Sequence, residues 1–117
     1  MAGVYNFEVK QGETFYRKFY WQSINQVPFN FDGCTPYMEI RKYDCNGEVL
    51  IDLSNKITVT PNYLELNMTW QDTLIFTNDL LLIPLVYDLF LEKDGNRYCF
   101  IEGNVTIECR RTKKDGL

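Results

Sequence analysis

The chain has 117 residues, 15% of them aromatic, with twelve basic against sixteen acidic side chains and a formal charge of −4. That length folds as one domain, spanning 1–117 with a basic tail over 110–117, and buries roughly two thirds of its unfolded surface without a metal or disulfide staple. The acidic balance excludes a protein that grips phosphate backbones by counterion release, so no nucleic acid partner is expected, and the lack of histidine removes the Ser-His and Cys-His nucleophile pairs.

From the start, Met1 to Glu8 has neither a charged n-region nor an apolar h-region, so no secretory signal is expected and synthesis is placed in the cytoplasm. Val4 to Lys10 sets Tyr5, Phe7 and Val9 against Asn6, Glu8 and Lys10, the period of two of a half-buried strand. Gln11-Gly12 breaks it. Glu13 to Gln22 then places Phe15, Arg17, Phe19 and Trp21 on one face and Thr14, Tyr16, Lys18 and Tyr20 on the other, so aromatic rings stand on both sides of this strand. Asn25 to Pro36 has the Pro and Gly content of a loop, with Phe29 and Phe31 tucked toward the core.

Strand resumes at Tyr37, with Met38 and Ile40 inward and Tyr37, Glu39 and Arg41 outward, and Asn46-Gly47 predicts a tight turn before Glu48 to Leu53. Ile57 to Thr60 and Tyr63 to Met68 predict two further strands around Pro61-Asn62. Thr69-Trp70-Gln71-Asp72 has the spacing of a capped helix start, giving one or two helical turns over 70–76.

The last hairpin is the strongest signal. Leu85, Tyr87, Leu89 and Leu91 offer one apolar face, Asp94-Gly95 supplies the positive φ of a two-residue turn, and Tyr98 to Cys109 puts Cys99, Ile101, Gly103, Val105, Ile107 and Cys109 inward. Leu80 to Leu91, the longest apolar-rich stretch, is broken by Pro84 and Asp88 and falls short of the ~20 residues of a bilayer span, so no membrane partner is expected. Roughly seven or eight strands with short turns and one brief helix predict an all-β fold, an immunoglobulin-like β-sandwich.

Four cysteines, Cys34, Cys45, Cys99 and Cys109, read chiefly as reduced, small hydrophobes. Cys99 and Cys109 on one strand stand about 33 Å apart and cannot pair, while a pair such as Cys34 with Cys99 stays open. There is no CxxC and no metal site is expected. The glutamates alternate with core residues along strands, as solvated faces do, and no Gly-rich phosphate loop or calcium-loop spacing occurs, so neither a catalytic residue nor a cofactor is assigned. Interaction is what the residues favour. Tyr16, Tyr20, Tyr37, Tyr43, Phe90, Tyr98 and Phe100 fall opposite the inferred core, a density of aromatics that suits protein contact or sugar stacking. Of these, Tyr16, Tyr20, Tyr37, Phe90, Tyr98 and Phe100 are the candidate partner interface, and Val4 to Lys10 and Tyr98 to Cys109 the candidate docking strands.

Gln11-Gly12-Glu13-Thr14-Phe15, Phe31-Asp32-Gly33, Met38-Glu39-Ile40-Arg41, Tyr87-Asp88-Leu89, Asp94-Gly95 and Glu102-Gly103-Asn104-Val105-Thr106-Ile107 follow one another over nearly the whole chain. In that order they resemble a family of small immunoglobulin-like virion proteins of tailed bacteriophages. The resemblance implies a non-enzymatic tail, baseplate or collar component that anchors fibres or neighbouring subunits. Its partners would be other virion proteins, through self-association in a ring or array or through fibre, tail or capsid subunits. A capsid decoration protein and a glycan- or receptor-binding module are the alternatives. The aromatic second strand, the extra cysteines and the long apolar 78–84 segment depart from the family pattern.

Overall fold

A computed structural model describes residues 3–21 and 29–111. Among the described residues nine strands are laid out as β1 (Gly3–Val4), β2 (Phe7–Lys10), β3 (Phe15–Phe19), β4 (Thr35–Lys42), β5 (Val49–Asp52), β6 (Ile57–Val59), β7 (Leu64–Met68), β8 (Leu85–Lys93) and β9 (Asn96–Glu108). They form two sheets. One runs β1-β9-β8-β4-β5, with β2 also on β9, and the other runs β3-β7-β6. Both β1 and β2 pair with β9 in parallel, Gly3 with Ile101, Phe7 with Val105 and Val9 with Ile107, while the other pairings are antiparallel. Two stacked sheets of this strand order are the arrangement of an immunoglobulin-like β-sandwich with one added edge strand beside β4.

The inward residues of both sheets make one core, among them Phe7, Val9, Phe15, Met38, Ile40, Leu64, Leu66, Leu89 and Ile107. Alternation does this directly in β2, β4, β7 and β8, whose burial switches at nearly every residue. The closing hairpin turns at Asp94 and Gly95, φ 55° and 80°, with Lys93 facing Asn96, as a turn matched to strand twist requires.

Four expectations need correction. The register of β8 and β9 slips between Leu89 and Phe90: Leu89 faces Ile101 but Phe90 faces Cys99, so Phe100 is left over. That extra residue is a bulge, and it reverses the alternation on its N-terminal side. Phe100 therefore turns inward and is only 7% exposed, where it meets Trp21 at 5.3 Å and Phe31 at 5.7 Å between ring centroids. Cys99 leaves the core face for the same reason.

The β4–β5 connection is also wider than a tight turn. It spans residues 43–48, with Tyr43 at φ 73° and Gly47 donating to the Asp44 carbonyl. Over 70–76 the helix is 3-10, Asp72–Ile75, and a second one follows at Asn78–Leu82. The predicted cap is present nevertheless, because Thr69 N–H donates to Asp72 Oδ2 at 2.9 Å and Asp72 N–H to Thr69 Oγ1 at 3.2 Å. Finally, Tyr98 to Cys109, a candidate docking strand, cannot take a partner by sheet extension, since β9 is bonded to β8 on one side and to β1 and β2 on the other. Residues 1–2, 22–28, where the expected second strand ends and the expected loop begins, and 112–117 lie outside the described residues.

Polar joints hold the first strand in place. Between β1 and β2 the chain swings so close to β9 that a Cβ on Gly103 would lie 2.2 Å from the Tyr5 carbonyl oxygen. Tyr5 N–H donates to the Glu102 carbonyl, Asn104 N–H to Asn6 Oδ1, and the Tyr87 hydroxyl to the Tyr5 carbonyl. At the other end Gln11, 8% exposed, donates from Nε2 to the Phe76 carbonyl and to Asn78 Oδ1 and accepts from Arg110 N–H. Gly12, at φ 75°, donates to Thr73 Oγ1. One buried amide thus ties the first turn, the β7–β8 crossover and the end of β9.

Gly103→Ala should therefore cost about 2–3 kcal/mol, the range of forced overpacking. Gly33→Ala meets open space and loses about 1–2 kcal/mol through its left-handed backbone alone (φ +81°). Urea unfolding followed by tryptophan fluorescence checks the order, and equal losses would contradict the close approach of Tyr5.

Candidate functional site

The smaller sheet presents an aromatic and charged strip. Along β3 the outward positions are Tyr16 and Lys18, continued by Tyr20, and across from them on β7 stand Asn67 and Glu65. Tyr63, just before β7, brings its ring centroid to 5.6 Å from that of Tyr20. Lys18 Nζ lies 4.5 Å from the Tyr63 centroid and 3.9 Å from Glu65 Oε1. The phenols and the carboxylate around Lys18, Tyr16 foremost, hold its pKa above the ordinary lysine value, while desolvation and then the Glu65 hydrogen bond raise that of Tyr16. The strip thus sets Lys18 among phenol hydroxyls and beside the Glu65 carboxylate, on flat rings. Tyr20 is 63% exposed.

The larger sheet carries different chemistry on its outer face. Tyr37 faces Phe90 directly across β4 and β8, Tyr37 exposed and Phe90 half-buried. One step along, Glu102, Asp88, Glu39 and Asp52 make a cross-strand row of carboxylates. Arg41 answers it in part, with Nη2 2.9 Å from Glu39 Oε1. Like charges placed directly opposite destabilise a sheet. Desolvation first, then Glu102 and Glu39, lift the Asp88 pKa above the usual carboxylate range. Beside the row a groove of about 500 Å³ runs between Val4, Asn6, Tyr43 and Cys45.

Tyr16 and Tyr20 therefore share one face, and Tyr37 and Phe90 share another on the opposite side of the sandwich. Tyr98 is exposed near the hairpin turn, across from Leu91, and Phe100 is withdrawn into the core. The six predicted residues form no single site. Val4 to Lys10 does lie at a sheet edge, kinked at Tyr5-Asn6. All four cysteines are free thiols, Cys34 buried and Cys45 exposed. Among the described residues no group of His, Cys, Asp and Glu is arranged to hold a metal ion, and no helix is long and apolar enough to cross a membrane.

Two features escaped the sequence reading. Tyr63 and Glu65 join the Tyr20 strip only because β7 pairs with β3, and alternation along one strand carries no sign of its neighbour. A groove of about 440 Å³ between β1 and β3, lined by Tyr5, Phe19, Tyr20, Trp21 and Phe100, depends on Phe100 being inward, which the bulge decides.

No protein-family model and no curated protein matches the chain. Among solved structures it is similar to the extracellular fragment, with stalk, of novel immune-type receptor 11 from Ictalurus punctatus, at 14% identity and a TM-score of 0.41 over 100% of this chain and 95% of that one. It is also similar to tandem Ig repeats of Dlar, at 17% identity and a TM-score of 0.35, over 93% of this chain and 46% of that one. The fold assignment rests on strand order and register.

Because Asp88 ionises less readily folded than unfolded, its charge opposes folding as pH rises through the carboxylate range, and the effect vanishes where both states are protonated. Asp88→Asn should raise stability at neutral pH by a few tenths of a kcal/mol and leave it unchanged in strong acid. Thermal melts at both pH values check this, and a variant less stable at neutral pH would contradict it.

Proposed function

We propose that this chain is a non-enzymatic structural subunit of a tailed-bacteriophage particle, at the tail, baseplate or collar, acting as an adaptor that neighbouring proteins grip. The observation that carries the reading is the placement of exposed aromatics, Tyr16 and Tyr20 on one outer face and Tyr37 on the other, on a scaffold whose loops are pinned by buried hydrogen bonds. Rigid aromatic platforms contribute contact area at little cost in conformational entropy. Two faces on opposite sides suit a subunit held between neighbours, where many modest contacts add up. The sequence resemblance supports the same reading, and its recurring residues Gln11, Gly12 and Gly103 are those at the structural joints.

If the reading is right, mass spectrometry of gradient-purified particles from the encoding phage finds the chain at a fixed copy number. Tyr16→Ala with Tyr20→Ala lowers its occupancy at least ~10-fold, the effect of losing anchor residues, while the isolated variant keeps its circular dichroism. Labelled imaging then separates tail or collar from a capsid decoration site. A chain abundant in the lysate and missing from particles would end the proposal.

A second reading is favoured by the Tyr20–Tyr63 pair with Lys18 and Glu65 beside it, since tilted rings flanked by a cation and a carboxylate offer both stacking and hydrogen bonding to a saccharide. On this reading the purified chain binds defined sugars on a glycan array and Tyr20→Ala abolishes the signal. Binding that survives the substitution would remove the strip from consideration.

A further inference from the structure

The crossover between β7 and β8 projects apolar side chains that the fold does not use. Leu80 and Phe76 are buried, but Leu81 stands out and Leu82 is 94% exposed, at the end of the 3-10 turn Asn78–Leu82. This turn is fixed in place. Leu80 N–H donates to the Thr77 carbonyl, the Thr77 hydroxyl donates to Asp79 Oδ1, and the Gln11 amide holds Asn78 Oδ1 at 3.1 Å. A single exposed leucine is ordinary, yet an adjacent pair on an anchored turn is a preformed knob. Over 69–84 the only charges are Asp72 and Asp79, and Asp79 is exposed beside the leucines.

The matching hole is the aromatic groove between β1 and β3, about 440 Å³ and lined by Tyr5, Phe19, Tyr20, Trp21 and Phe100 with Lys18 at its rim. Arg17 is next in line, its Nε donating to the Tyr5 hydroxyl. Lys18 stands 3.9 Å from Glu65 Oε1, so Lys18 and Arg17 together leave the rim positive by about one charge, where the knob carries Asp79. Within one molecule the two cannot meet: the groove reaches β9 at Phe100 and Ile101, whereas Leu81 and Leu82 line a separate groove with Asn104 to Ile107, about 17 Å further along the strand.

We infer that the occupant of the groove is a second copy of this chain, Leu82 of one copy seated among the aromatic rings of the next with Asp79 facing Lys18. The contact joins unlike surfaces, so it repeats from copy to copy and builds a closed ring or an open filament according to the rotation it imposes. It rests on the proposed role as a self-associating subunit and names the surfaces that role uses.

Sedimentation velocity of the full chain over a wide concentration range tests it. The wild type should form oligomers larger than dimers, and Leu82→Glu and Tyr20→Asp should each weaken association at least ~10-fold, as loss of an anchor does. Mixed together, these two variants retain one working knob and one working groove and should stop at a heterodimer. Asp79→Lys and Lys18→Glu should each weaken assembly singly and restore it when combined in one chain. Circular dichroism checks that each variant is folded. A wild type monomeric at every concentration, or a mixture of the two blocked variants that stays monomeric, would overturn the inference. Monomeric protein that is still incorporated into particles would overturn this contact and leave the adaptor role standing.

Discussion

The sandwich depends on one ring. Phe7 of β2 sits 4.8 Å from Tyr87 on β8 and 5.0 Å from Phe15 on β3, centroid to centroid, and so links the two sheets through tilted aromatic contacts. Antibody domains bridge the equivalent pair of strands with a disulfide. Here neither β3 nor β8 contains a cysteine and every thiol is free. Burying each ring stabilises by about 1.5–3 kcal/mol and each aromatic pair adds about 0.5–1.5 kcal/mol, comparable with the 2–4 kcal/mol typical of a disulfide. The molecule can thus hold its sheets together in a reducing compartment.

That ring can be where it is because the backbone next to it is short of atoms. Gly103 lies across from Tyr87, and the space a side chain would take is occupied by the Tyr5 carbonyl, which also receives the Tyr87 hydroxyl. Burial pushes the Tyr87 phenol above its ordinary value, so it remains a donor at any physiological pH. Gln11 does the corresponding work at the opposite end of β2. The Gln11 joint also ties the crossover turn to the first turn, through the Phe76 carbonyl and Asn78 Oδ1.

Much of this was legible in the sequence. Phe7 and Val9, Met38 and Ile40, and Leu85 through Leu91 showed their buried face by alternation alone, and Asp94-Gly95 gave the turn. Thr69 and Asp72 gave the cap but not the helix type, because Phe76 and Leu80 are drawn into the core after only one short turn each. What alternation could not reveal was pairing. Phe100 reads as outward in a regular strand, and only the slip opposite Leu89 and Phe90 turns it in. Likewise Tyr63 and Glu65 become neighbours of Tyr20 and Lys18 through a partner strand, and the exposed leucines at 81 and 82 look like core until the chain's path leaves them outside.

The parallel pairing of β2 with β9 has a kinetic consequence. Asn6 waits for Asn104, 98 residues later, and contacts of such separation close slowly because loop entropy is lost before they form. During translation the pairing edge of β2 must remain unsatisfied until Val105 to Glu108 have left the ribosome. Every molecule therefore passes through a stage in which Phe7 and Val9 lack Val105 and Ile107, their partners on β9.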